Sequence, residues 1–211
     1  MKRGLMPIGL ALSIVGWYAP WVTSSRQLAA LTYNALDLVE FGKFINRAGI
    51  ATLTREWFLV PLVAAALALA LWANRPDARS RPVRSMLTLL AAGFSLVPLP
   101  PYPYVLKAYA SAEDRISFWL GLAGLLGIVL FFAFGRFMAG RWRAGAFVAL
   151  ALIGAVPAAW EFVWRVLPAT FEAYASPAWP AWGFFVTMIG FVLMMVASVQ
   201  RDAIKTPKSE H

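Results

Sequence analysis

The chain contains no cysteine, and its one histidine is His211, the last residue. Without thiols there is neither a disulfide scaffold nor a thiolate metal site. Without a second imidazole, histidine haem ligation, histidine zinc sites and a histidine general base are all removed. Charge is scarce as well. Only 14% of the 211 residues are charged, against about 25% in an average soluble domain.

What replaces charge is apolar surface. Hydrophobic residues make up 61% of the chain and aromatic residues 15%. That excludes a disordered chain, which needs low hydrophobicity. The net charge is +9, but the bases fall between apolar runs, so no nucleic-acid partner is expected.

A helix needs roughly 20 apolar residues to cross a hydrocarbon core of about 30 Å. Six stretches qualify as candidates, over about 5–22, 57–72, 83–99, 116–138, 144–167 and 181–200. The third is short, being stopped by Pro98, Pro100 and Pro101, and a re-entrant segment is its alternative. The first has the basic start of a signal peptide. It lacks a small-x-small cleavage site and ends in Trp17-Tyr18-Ala19-Pro20-Trp21, so a retained anchor is expected. The expected fold is an all-α, polytopic membrane helix bundle, a single integral domain over 1–211. It has six transmembrane helices and an amphipathic helix in the first outer loop.

The positive-inside rule orients these spans. Six crossings put Lys2, Arg3, Arg75, Arg79, Arg81, Arg84, Arg136, Arg141, Arg143, Arg201, Lys205 and Lys208 on one side, with only Asp77, Asp202 and Glu210 as acids. The other side holds seven bases and seven acids. Both termini are therefore expected in the cytoplasm, in a bacterial cytoplasmic (inner) membrane. The basic excess matches an anionic cytoplasmic leaflet.

The outer loops, 23–56, 99–115 and 168–180, are rich in aromatic residues. Trp17, Tyr18, Trp21, Tyr102, Tyr104, Trp160, Trp164, Trp179 and Trp182 all lie on or near that side. Aromatic belts ordinarily mark both interfaces, and here only Trp72 and Trp142 mark the inner one. These outer residues, with Glu161 and Arg165, form the candidate partner or ligand surface. A belt with packed loops is the plainer alternative.

In the first outer loop, Ser24 and Gln27 have the spacing of a capping box. Leu28, Leu31, Ala35, Leu38, Gly42 and Ile45 follow at helical spacing. This predicts an amphipathic helix over Ser24–Ile45, ended by Gly49 as a left-handed cap. Ser111 to Asp114 reads as a second capping box. Ser176-Pro177 reads as the start of the last helix.

The middles of the six spans carry no charge. Glu161 and Arg165 come nearest, one helical turn apart, and are expected to pair at the outer boundary. Pro157 is expected to kink the helix below them. Gly121, Gly124, Gly127 and Gly154 let backbones approach and are candidate helix-packing sites, either within the bundle or for a partner's helix. No catalytic, cofactor-binding or metal-ligating set is expected. The function expected is a non-catalytic multi-pass membrane protein, a subunit or accessory component of a larger membrane assembly. Its partners are the lipid bilayer and other membrane subunits or further copies of itself. A small transporter or lipid-handling protein, with a pocket among the outer aromatics, is the alternative.

Overall fold

The second apolar run is almost wholly Ala, Leu and Val, and it becomes the centre of the bundle. A computed structural model describes residues 4–24, 32–76 and 80–203. Among the described residues, 77% are helical. Eight α-helices are assigned: α1 (Leu5–Tyr18), α2 (Ala35–Ala48), α3 (Val60–Ala73), α4 (Arg81–Leu96), α5 (Arg115–Phe134), α6 (Gly140–Glu161), α7 (Leu167–Tyr174) and α8 (Trp182–Ala203). The stretch Arg55–Ala73, which contains α3, is 78% buried, whereas Arg115–Phe137 is 22% buried. Small side chains make α3 thin, so neighbours close around it on every side.

Four helical stretches are long and apolar enough to cross a membrane: Arg55–Ala73, Arg115–Phe137, Gly140–Tyr174 and Trp182–Gln200. The helix α1 is apolar but shorter. It stops at Tyr18 rather than running to residue 22, because Pro20 follows and Val22 enters a strand. The helix α4 falls outside the apolar set. Its first turns carry Arg81 and Arg84, which lower its hydropathy.

Glycines set how the helices meet. The helices α1 and α8 run antiparallel. A Cβ on Gly16 would lie 2.5 Å from the Thr187 nitrogen, and one on Gly190 would lie 2.5 Å from the Ser13 nitrogen. Only glycine permits these backbones to touch. On the other side of α3, Gly124 sits against Val63 and Ser95, and Gly127 against Leu67. The helix α5 therefore runs parallel to α3, with α4 antiparallel to both. Leu5, Asn74 and Gly140 fall at one end of the bundle, and α2 and α7 at the other.

Three expectations need correction. The chain is not purely α-helical. Strands β1 (Val22–Ser24), β2 (Thr32–Tyr33) and β3 (Ala178–Pro180) form an antiparallel sheet in the order β2-β1-β3. Val22 pairs with Tyr33 and Pro180, which joins the 23–56 and 168–180 loops by main-chain hydrogen bonds. Ser24 consequently lies in a strand and caps no helix. Gln27, Leu28 and Leu31 lie outside the described residues.

The loop helix begins instead at Ala35. Asn34 Oδ1 accepts the Asp37 N–H at 2.9 Å, and the Asp37 carboxylate accepts the Asn34 N–H at 3.0 Å. This reciprocal pair is the real start signal. The end falls as expected, with Gly49 in the left-handed region at φ 70°. Ala35, Leu38, Val39, Phe41 and Ile45 are buried, while Leu36, Asp37, Glu40 and Phe44 are exposed.

The third correction is in the fifth run. Expected to end at residue 167, before Pro168, it continues to Tyr174. A π-helical turn, Phe162–Val166, follows α6 and leads directly into α7. Proline lacks a donor and its ring needs room against the preceding turn. The wider π turn supplies that room, with Leu167 N–H reaching back to the Phe162 carbonyl. Similarly, Ser176-Pro177 leads into β3, and α8 starts only at Trp182.

Candidate functional site

The end of the bundle that carries α2 and α7 is closed by an aromatic core. Trp17 and Trp21 are fully buried. The Trp17 indole donates to the Phe58 carbonyl at 2.6 Å, and the Trp21 indole donates to the Gly16 carbonyl at 3.0 Å. Each buried indole N–H therefore has its acceptor. Trp21 meets Phe58, Phe162 and Phe184 edge to face, with ring centroids 5.5–6.1 Å apart. Trp17 and Trp21 thus belong to the interior and leave the expected partner surface.

Glu161 lies at the edge of this core and is only 2% exposed. Its Oε1 accepts the Thr54 N–H at 2.5 Å. Its Oε2 stands 3.7 Å from the Arg165 guanidinium. Arg165 is half exposed and also donates to the Thr52 carbonyl at 3.0 Å. The expected pair is present, but the carboxylate is buried and the arginine half wet. Asn46 holds the other side of the contact. It donates to the Leu53 carbonyl and accepts the Leu53 N–H, at 2.9 and 2.7 Å. This bracket fixes the backbone of 52–54, so that Glu161 and Arg165 close on a rigid loop. The resulting clamp ties the first outer loop to the top of α6.

A second charged cluster lies on the far side of that loop. Arg55 is buried and pairs with Glu56 at 3.0 Å, Asp114 at 3.5 Å and Glu113 at 3.7 Å. Arg47 reaches Glu113 at 3.0 Å, and Lys43 reaches Glu40 at 2.9 Å. Loop one and the start of α5 are thereby joined. Ser111 Oγ does accept the Asp114 N–H at 3.3 Å, but the Asp114 carboxylate turns to Arg55 and does not complete a capping box.

Tyr33, Phe41 and Tyr174 stack in a third contact. The two phenols share a hydrogen bond of 2.9 Å. Burial and that hydrogen bond push the Tyr33 hydroxyl above its ordinary value.

No family model, no curated protein and no solved structure matches the chain.

The remaining expected surface residues divide cleanly from the buried ones. Tyr18, Tyr102, Tyr104, Trp160, Trp164, Trp179 and Trp182 are all exposed. Trp160 and Trp164 lie against each other, with centroids 5.7 Å apart. Gly121, Gly124, Gly127 and Gly154 are engaged within the bundle, against Leu99, Ser95, Leu67 and Phe191 respectively. Among the described residues, no group of three or more His, Cys, Asp or Glu side chains is placed to hold a metal ion.

Two features escaped the sequence reading. The closest helix contact, α1 on α8, uses Gly9, Gly16, Gly183 and Gly190. Both pairs are spaced seven residues apart, a legible signal of one glycine face on each helix. The Arg55 cluster joins residues almost sixty positions apart, and no local pattern announces it.

Proposed function

We propose that the chain is a non-catalytic, multi-pass membrane protein that serves as a subunit or accessory component of a larger membrane assembly. It crosses six times, through α1, α3, α4, α5, α6 and α8, in a bacterial cytoplasmic membrane with both termini cytoplasmic. The helix α2 lies over the outer end as an amphipathic cover. Partner subunits dock on the outer face.

One observation carries this reading. Four tryptophans, Trp160, Trp164, Trp179 and Trp182, stand exposed beside a cap whose own core is complete without them. Large amphipathic rings left more than half exposed are the residue type enriched at protein interfaces. The small-residue faces are filled from within, which leaves the aromatic face as the docking surface.

The second reading, a small transporter or lipid-handling protein, draws on Glu161, a carboxylate buried beside a π turn. Such turns are frequent at functional sites. The clamp described above gives Glu161 a structural role, which favours the first reading.

The test is purification from the native membrane in mild detergent. A fixed stoichiometry with other membrane proteins is expected, and Trp160→Ala with Trp164→Ala should release them. A chain that travels alone, and whose reconstituted vesicles show a solute flux abolished by Glu161→Gln, would establish the transporter reading instead.

A further inference from the structure

We infer that the cytoplasmic end of the α4–α5 contact, where Arg84 meets Phe132, binds the phosphate of an anionic glycerophospholipid, with Arg84 as its anchor and Arg81 and Arg136 as the further basic residues at that end. This rests on the orientation proposed above.

Most cations at the end that carries α2 are paired, Lys107 and Arg115 being without a carboxylate partner among the described residues, whereas those at the other end meet aromatic rings. At the outer end, Lys43, Arg47, Arg55 and Arg165 each stand within 4 Å of a carboxylate. At the other end, Arg81, Arg84, Arg136 and Arg141 have no carboxylate partner among the described residues. Aromatic rings take their place. Arg84 on α4 lies 5.0 Å from the ring centroid of Phe132 on α5, a contact between the two helices. Arg136 lies 4.5 Å from the Phe137 ring.

A ring covers one face of a guanidinium and leaves its edge donors open. Those donors form the planar fork that matches a phosphate bidentately. Stacking also holds the fork still before the anion arrives. A deeper network fixes the helix that carries Arg84. Thr88 Oγ1 donates to the Arg84 carbonyl at 2.9 Å and accepts from Asn74 Nδ2 at 3.1 Å, which locks the first turns of α4 to the end of α3. Arg81 lies one turn before Arg84, and Arg136 lies four residues after Phe132.

The outward surfaces of the same two helices also suit acyl chains. Leu89 and Leu90 on α4 and Val129 and Leu130 on α5 are exposed apolar side chains further along the helices from the arginines. A free phosphate would use the arginines alone, whereas a phospholipid uses both parts. Basic pockets between helices on the cytoplasmic side are suited to such headgroups.

The test uses the full chain in neutral detergent micelles doped with phosphatidylglycerol or phosphatidylcholine. Native mass spectrometry reads the lipid retained. Phosphatidylglycerol is expected to be retained preferentially, and Arg84→Gln should lower its retention about fivefold, the effect of one arginine near an anionic headgroup. Phe132→Leu should weaken retention without changing charge. Arg115→Gln, which removes an exposed arginine at the opposite end, should leave it unchanged. If Arg84→Gln fails to fold by circular dichroism, Arg136→Gln reads the same site. Equal retention of the two lipids overturns the site, as does an equal loss in Arg115→Gln, which would mean diffuse charge. Full competition by inorganic phosphate at the lipid's concentration also overturns it, as a free-anion site. A chain that fails to enter bilayers would sink the membrane reading separately, since micelle retention is still measured.

Discussion

Replacing Glu161 with glutamine probes the clamp between the first outer loop and α6. The substitution keeps one carbonyl oxygen for the Thr54 N–H, now 2.5 Å from Oε1. It removes the charge from that bond and turns an amide toward Arg165. A hydrogen bond to a charged group contributes about 1.5–3 kcal/mol and a neutral one about 0.5–1.5 kcal/mol, so the bond weakens by roughly 1–1.5 kcal/mol. The ion pair is long, at 3.7 Å, and Arg165 is 47% exposed. Solvent screening therefore limits its loss to about 0–1 kcal/mol. The expected destabilisation is roughly 1–2.5 kcal/mol. Glu161→Ala strands the Thr54 N–H and leaves a void at the edge of the aromatic core, and should cost about 2–4 kcal/mol. Unfolding in mixed micelles can be followed by the change in tryptophan emission as buried Trp17 and Trp21 become exposed, read as a difference between variant and wild type. Wild-type stability in both variants would refute the clamp.

Other substitutions test the packing and the outer network. Gly16→Val should prevent α1 from seating on α8, because backbone atoms of Thr187 and Gly183 block it; a folded variant within about 1 kcal/mol of wild type would contradict the contact. Gly93→Ala meets nothing within 4 Å and should stabilise α4 by about 0.4–1 kcal/mol through reduced freedom of the unfolded chain. Arg55→Gln leaves Glu56 and Asp114, both partly exposed, without their cation and should cost about 1.5–3 kcal/mol, whereas Arg47→Gln, at an exposed pair, should cost at most about 1 kcal/mol; equal costs would deny Arg55 its central place. Asn34→Ala should cost about 1 kcal/mol of helix stability, read as lost protection of the first turn of α2 in hydrogen exchange.

Apolar periodicity and run length carried the helix bundle, because both act locally along the chain. Four stretches meet the length and apolarity of a membrane span, and the 83–99 run was already the weakest of the six in the sequence. Gly49 was legible because only a left-handed cap fits there. The start of α2 was misplaced because Ser24 and Gln27 have the same spacing as Asn34 and Asp37. What decided between them was the pairing of Val22 with Tyr33 and Pro180, which is not local. Trp17 and Trp21 resemble interfacial anchors in sequence. Only the cover built by α2, the sheet and α7 makes them interior. The spacing of Glu161 and Arg165 correctly indicated a pair. The depth of Glu161 was hidden, because the 52–54 backbone that buries it comes from more than a hundred residues away.

The absence of cysteine allows a direct test of the six-crossing arrangement. Ser80, Ala112 and Ala139 are exposed, and they lie in successive connections on alternate ends of the bundle. Each is changed singly to cysteine and treated in intact cells with a membrane-impermeant maleimide. Labelling is expected at Ala112→Cys alone, with Ser80→Cys and Ala139→Cys reacting only after the membrane is opened. Labelling of Ser80→Cys and Ala112→Cys alike from outside would mean that α4 does not cross, and would contradict the six-crossing membrane subunit.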